Sequence, residues 1–285
     1  MQSQQVKLNQ TQSQLGSGVR IQKPSDDPRG VGSAINLELR LEELEQYDRN
    51  GTQATTALNL QEQTLANASD VILRLREITL QASSPSIDKA QRELLAEEVS
   101  AQVNILLGIA NSRDGSGEYI FGGSRTDQPP FKEGANGIEY AGSQQPRGVA
   151  VGVGLEIQVL DPGSRIFSSG ESDLVFATAA RLQNELEYAD QFEVETSEQL
   201  LEELDNTLET LTSQRAIVGA RLTQVEFSSN FNSDWSLQLQ TALSETRDVD
   251  YAETISLLNQ QVTALEAVQR TFVRVSDLNL LRFLG

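Results

Sequence analysis

Between Tyr251 and Leu284 the apolar side chains recur on one helical face. Tyr251, Ile255, Leu258, Val262 and Leu265 follow one another at alternating steps of four and three, and Phe272, Val275, Leu278 and Leu281 continue the line. A stripe of that spacing predicts an amphipathic helix whose apolar face needs another helix against it. It runs almost to the last residue, and its predicted partner is another copy of the chain or a related chain.

Two further seams of the same kind frame the sequence. From Gly32 to Ala82 a long helix is expected, with Leu37, Leu44, Tyr47, Gly51, Ala54, Leu58, Gln61, Leu65, Ala68, Ile72 and Leu75 holding the 3.5-residue average of a coiled coil. The small residues Gly51, Ala54 and Ala68 would let a second helix approach closely, although Asn50-Gly51 also reads as a turn pair that could break the helix. Ser84-Pro85-Ser86 closes this segment. Asp88 to Asn111 supplies another helix, with Leu95, Val99, Leu106 and Ile109 on one face, so the short loop predicts an antiparallel hairpin. In the second half, helical pattern resumes near Asp173 with Leu174, Ala177, Leu182 and Leu186. Thr196-Ser197-Glu198-Gln199 offers a capping box, followed by the seam Leu201, Leu204, Leu208, Leu211, Arg215, Val218, Leu222 and Val225. Arg215 is the one charged member, and it is expected to meet a carboxylate or to lie at the bundle edge, because an unpaired buried guanidinium is costly. A catalytic or anion-binding arginine is the alternative reading. The polar run Ser228-Ser229-Asn230 predicts an interruption, with helix again from Ser233 to Thr246.

At the other end, Leu8, Leu15 and Val19 suggest a short amphipathic helix ended by Gly16 or Gly18. Pro24-Ser25-Asp26-Asp27-Pro28 then breaks the helix, with Ser25 or Asp26 as the cap of the next one. The acid pair Asp26 and Asp27 has no further ligands near it and is read as a turn and cap, not a metal site. In the middle of the chain the period changes. Tyr119-Ile120-Phe121, Gly137 to Ala141, Gly148 to Val153 and Leu155 to Leu160 read as short strands separated by turn residues. Gly115-Ser116-Gly117 and Gly152-Val153-Gly154 lack the third glycine or the Lys-Ser/Thr that a phosphate loop requires, so both read as turns.

Composition closes most chemistry. The 285 residues contain no Cys and no His, which removes thiol nucleophiles, disulfides, the commonest metal ligand and the commonest general base. A net charge of -19 repels nucleic acid and anionic membrane surfaces. No run approaches the roughly 20 apolar residues that span a bilayer, and Met1 to Gln14 has no apolar core of a secretory signal. No catalytic, cofactor-binding or metal site is expected. The fold class is mainly α with a β-rich insertion: a helical bundle built from both chain ends by antiparallel coiled-coil packing, carrying a small β domain.

Four segments carry a resemblance to a known family. They are Leu15-Gly16-Ser17-Gly18-Val19-Arg20-Ile21 with Pro24-Ser25-Asp26-Asp27-Pro28; Gly117-Glu118-Tyr119-Ile120-Phe121-Gly122-Gly123 with Pro130-Phe131; Arg215-Ala216-Ile217-Val218-Gly219-Ala220-Arg221-Leu222; and Asp250-Tyr251-Ala252-Glu253 through Leu265-Glu266-Ala267-Val268-Gln269 to the end. The chain resembles the hook-associated proteins of the flagellin superfamily, and the second segment resembles the hook-filament junction group in particular. The motif positions are Arg20, Pro24, Asp26, Asp27, Gly117, Tyr119, Phe121, Gly122, Pro130, Phe131, Arg215 and Gly219.

The resemblance implies an elongated, flagellin-like subunit of the bacterial flagellum, extracellular and exported without a cleaved signal by the type III apparatus with an export chaperone. Its implied partners are other copies of itself, the adjacent hook-associated junction protein and flagellin, with no nucleic acid and no membrane insertion. The corresponding divisions are 1–28 as an inner N-terminal segment, 29–118 and 171–250 as two parts of a helical domain, 119–170 as a β-rich outer insertion, and 251–285 as the C-terminal assembly helix. Leu8, Leu15, Val19, Leu258, Val262, Leu265, Phe272, Val275, Leu278 and Leu281 are the expected assembly interface. Tyr251 to Leu265 is expected to pack on the long helix from Gly32, leaving Val268 onward under-buried. One departure stands out: family members begin with a further apolar-patterned stretch before the segment matching Gln4 to Leu15. A flagellin variant, or a surface adhesin or peptidase-like enzyme with the insertion as its active part, are the competing readings. Asp127, Glu133, Glu139, Asp161 and Glu171 are the acids available there, and they form no recognisable catalytic pair or metal spacing.

Overall fold

The computed structural model describes residues 2–134, 137–167, 175–188 and 192–284, with the side chains of the last helix described through Arg274. In order, the elements are α1 (Gln2–Ser17), α2 (Pro28–Ala82), α3 (Lys89–Ala110), β1 (Phe131–Gly134), β2 (Gly137–Tyr140), β3 (Arg147–Gly152), β4 (Leu155–Leu160), the single turn α4 (Gly163–Ile166), α5 (Val175–Tyr188), α6 (Val194–Arg247) and α7 (Tyr251–Leu284). The chain forms two compact units, one of residues 46–232 and one of residues 1–45 with 233–285. Both α2 and α6 contribute to each.

In the unit of residues 46–232 the organising contact is the antiparallel pairing of α2 with α6. Glu62 meets Arg215 and Arg76 meets Asp205, so numbers rise along one helix as they fall along the other. The seam read from the sequence is buried without a gap from Gly51 to Leu75, and it shares one apolar cluster with Leu200, Leu204, Leu211, Val218 and Val225 of α6. Asn50-Gly51 does not break α2. A Cβ at Gly51 would make only an ordinary contact with Val225 Cγ1, at 3.7 Å, so an alanine would fit there as well, while Asn50 Nδ2 donates to the Ala150 carbonyl at 2.7 Å. The expected antiparallel hairpin is present: α3 is capped by Asp88 through a reciprocal box with Gln91 and is tied back to α2 by Arg74 and Glu98. On α3 packs α5, which is also held to α6 through Thr178 and Arg181 to Glu203.

The β segments are two separate antiparallel hairpins, β1–β2 and β3–β4. The first is in plain register from Phe131 opposite Tyr140 to Gly134 opposite Gly137, whereas the second has two register shifts. Their inward side chains, among them Phe131, Val151, Ile157, Val159 and Leu160, belong to the same buried cluster as Leu58 and Leu65. The span 119–170, expected as an insertion of its own, is thus part of one core with the helices, and the compact units part elsewhere. Tyr119-Ile120-Phe121 is not a strand. It is a turn held by isolated bridges from Arg113 to Tyr119 and from Gly122 to Pro162, because left-handed glycines at 117 and 123 bend the chain on either side.

The second half of the sequence also folds differently from its local pattern. No interruption occurs at Ser228-Ser229-Asn230, and α6 is one helix of 54 residues. Ser228 Oγ and Asn232 Nδ2 both donate to the Val151 carbonyl, at 2.8 and 2.9 Å, so polar side chains point inward to satisfy a buried hairpin backbone group. Thr196 to Gln199 is not a capping box, since α6 begins at Val194 and Ser197 Oγ bonds back to the Val194 carbonyl. The helix expected from Asp173 is described from Val175; Asp173, Leu174 and Glu171 lie outside the described residues.

Within the unit of residues 1–45 and 233–285, α7 packs on α1. The cause lies in how both chain segments leave the α2–α6 pair. Val19 and Asp248 form an antiparallel bridge, with Arg20 N–H donating to the Arg247 carbonyl and Val249 N–H to that of Gly18, so the two segments turn together and emerge as neighbours.

Replacing Leu65, which is fully buried in the α2–α6 seam, by Ala is expected to cost about 2–5 kcal/mol in urea unfolding followed by circular dichroism. An exposed-face control, Gln63→Ala, should change stability by less than about 0.5 kcal/mol.

Candidate assembly surface and motif sites

The first motif builds the turn between α1 and α2. Gly18 ends α1 with a φ of 73°, and a Cβ there would lie 3.0 Å from the Tyr251 hydroxyl oxygen, so both conformation and space call for glycine. Arg20 Nη2 donates to the Thr246 carbonyl at 2.7 Å and its guanidinium lies 3.6 Å from Asp27. It thereby satisfies a carbonyl left open at the end of α6. Asp26 accepts the Gln22 and Lys23 amides, and Asp27, not Ser25 or Asp26, caps α2 by accepting the Gly30 amide at 2.9 Å, with Pro28 in the first helical position. The Gly30 amide, opposed by burial and helped by the Arg20 charge, holds the Asp27 carboxyl below its ordinary range. Pro24 is exposed on the turn.

Beyond this turn, Leu8 and Thr11 of α1 are buried and Leu15 and Val19 half-buried. On α7 the covered line is Thr254, Leu258, Gln261 and Leu265. Tyr251, Ile255 and Val262 form an adjoining line that stays exposed, and Leu257 is exposed on the other side of the covered line. Further along, Val268 is 40% and Phe272 57% exposed, and Val273 stands open beside them. The side chains of Val275, Leu278 and Leu281 lie outside the described residues. The apolar face of α7 is therefore wider than the single seam read from the sequence.

The second motif lies in the unit of residues 46–232 and is built around aromatic packing. Phe121, Phe131 and Phe167 are essentially inaccessible, with edge contacts at centroid distances of 5.2 Å (Phe121–Phe167) and 5.4 Å (Phe131–Phe167), and Tyr140 and Phe176 pack on Phe131. Asn111 brackets Phe131, donating to its carbonyl and accepting from its amide, both at 2.9 Å, as a strand partner would. Pro130 accepts the Ala141 amide. Gly122 and Gly123 pass so close to the Arg125 and Ser143 carbonyl oxygens that a Cβ at either would overlap them. Tyr119 stacks under the Arg113 guanidinium, and Gly117 closes the preceding turn onto the Asp114 carbonyl. The Tyr140 hydroxyl sits over the Phe121 and Ser143 carbonyls, and burial pushes its pKa up to about 12.

In the third motif, Arg215 grips Glu62 through both Nε and Nη2, at the bundle edge with a carboxylate partner as expected. Sequence reading missed the more enclosed pair. Arg221 binds Asp161 with side chains only 15% and 11% exposed, and Gln61 Nε2 donates to the same carboxylate, joining α6, α2 and the end of β4. Nothing in the local pattern marks Asp161, since its partners are 60 and 100 residues away. Gly219 is exposed, and a Cβ there would meet nothing within 4 Å, so no contact inside the chain requires it. Among the described residues no three acids gather as a metal site would need, and no helix is long and apolar enough to cross a membrane.

Residues 1–126 match the bacterial flagellin N-terminal helical region. Over 94% of this chain and 90% of the relative, the sequence is 29% identical to flagellar hook-associated protein 3 of Escherichia coli, and over the same shares 27% identical to that of Salmonella typhimurium. Along nearly its whole length the chain is similar to flagellar hook-associated protein 3. Its fold agrees. A solved hook-associated protein 3 from Legionella pneumophila superposes with a TM-score of 0.68 at 21% identity, covering 73% of this chain and 97% of that one. The flagellar junction protein of the same organism gives 0.64 at 22%, covering 76% and 100%. The chain also aligns with flagellin of Bacillus subtilis, at 23% identity over 92% of the chain and 87% of the relative.

Two outcomes check the motif chemistry. Arg221→Met should lower unfolding free energy by about 3 kcal/mol by stranding Asp161, whereas joint replacement of both by Leu should cost clearly less, measured by urea titration. In ultraviolet titration Tyr140 should ionise near pH 12. A raised phenol pKa contributes stability that is whole below the ordinary value of 10.0 and is lost as pH rises through about 12, an alkaline loss that Tyr140→Phe should remove.

Proposed function

We propose that this flagellar protein is a structural subunit joining hook to filament, assembling as a ring through its terminal helices and presenting a template on which flagellin polymerises. The observation that carries the reading is the exposed apolar face of α7, where Val268, Phe272 and Val273 stand open to solvent. A face of this kind on a helix asks for another helix, and surplus apolar surface marks an interaction site. Its proposed interface comprises Leu8 and Leu15 of α1 and Val19 just after it, with Leu258, Val262, Leu265, Phe272, Val275, Leu278 and Leu281 of α7. Proposed partners are other copies, the adjacent hook-associated junction protein and flagellin, at an extracellular site reached through the type III export apparatus with its chaperone. The role is one of assembly, not catalysis.

The motif residues have a different place in this reading. Arg20, Asp27, Phe121, Phe131 and Arg215 hold the chain's own turns and core together, and so set the frame from which the terminal helices project their faces. Gly219 differs, because its open surface leaves room for a neighbour's side chain or backbone.

In cells that depend on this protein for motility, Val268→Asp with Phe272→Asp is expected to leave hooks without filaments by electron microscopy, while the purified variant keeps the parent's thermal unfolding midpoint within about 2 °C. Normal filaments on such cells would remove the reading.

A further inference from the structure

The negative charge of this chain is unevenly placed. Residues 1–27 hold three basic and two acidic side chains and residues 251–285 hold three of each, so 28–250 carries 16 basic against 36 acidic. Both terminal helices are nearly neutral, and residues 28–250 alone carry -20, slightly more than the net charge of the whole chain. The imbalance is steepest between Arg181 and Arg215, where ten acids occur and no Lys or Arg. Glu203 and Asp205 of that group are tied to Arg181 and Arg76. Glu195, Glu198, Glu202 and Glu209 stand exposed on α6.

Copies of one chain placed side by side bring like surfaces together, and a charge of this size raises a repulsive potential that reaches about 30 Å at 0.01 M salt but only about 8 Å at physiological ionic strength. The terminal helices escape that penalty because they carry almost no net charge. Their mutual attraction is apolar and is little weakened by salt. We propose that this partition gates self-association: the acidic body keeps copies apart until counter-ions screen it, and confines attraction to the terminal helices. The proposal rests on the reading of α7 as the assembly surface, and its partner is a second copy of this chain. Association should then strengthen as salt is added, the reverse of a contact made by opposite charges.

Sedimentation velocity of the full chain in 10 to 500 mM sodium chloride tests this. The apparent dissociation constant is expected to fall about tenfold or more across the series. The quadruple variant Glu195→Gln, Glu198→Gln, Glu202→Gln, Glu209→Gln should associate in 10 mM salt as tightly as the parent does only at higher salt, which separates charge screening from general salting-out. A Phe272→Asp chain should not associate at any salt. Association that weakens with salt, or a quadruple variant indistinguishable from the parent at 10 mM, would overturn the gating. Salt-strengthened association that survives Phe272→Asp would leave the gating standing and overturn the terminal-helix reading. No association of the parent at any salt would overturn both.

Discussion

The antiparallel seam between α2 and α6 is the constraint on which the rest of residues 46–232 depends. Its members from Gly51 to Leu75 are buried throughout, and two helices of this length gain little from intrinsic propensity compared with what packing one apolar face supplies. Ion pairs at Glu62–Arg215 and Arg76–Asp205 flank the seam and fix its register, while the apolar contacts supply most of the stability. The hairpins complete the same core. Val151 offers its carbonyl to Ser228 and Asn232, and Asp161 closes on Arg221 and Gln61. The β segments are therefore cover for the helix pair and not an independent module.

What could be read from the sequence depends on the range of each interaction. Repeats of three and four residues are local signals, so α2, α3 and the seam of α6 were legible in outline, as was the need of Arg215 for a carboxylate. The hairpin strands from Gly137, Gly148 and Leu155 were legible for the same reason, through alternation and flanking turns. Errors arose where a distant partner decides. Ser228 and Asn232 look like a helix break until the Val151 carbonyl is set against them, and Tyr119 to Phe121 looks like a strand until its bridges to Arg113 and Pro162 are seen. Similarly, the packing of α7 on α1 is set by the bridge between Val19 and Asp248, residues 229 apart in number, which no local pattern announces.

The family motifs gain physical content from these contacts. Gly18, Arg20 and Asp27 answer to the geometry of one turn; Phe121, Gly122 and Phe131 answer to one aromatic cluster with two close backbone approaches. The apolar side of α7 stays open on a strongly acidic chain, as do Phe227 and Leu237 of α6.

Because the chain has no cysteine, a single one introduced at Val268 or at Phe272 gives a spin label at one known place on α7. The spectrum of that label in the isolated chain and in flagella carrying the same labelled chain tests the central claim most directly. The account predicts a mobile label on the isolated chain and a strongly immobilised one in the flagellum, as a neighbouring helix closes over it. An equally mobile label in both states would show that α7 is not the surface through which the protein assembles.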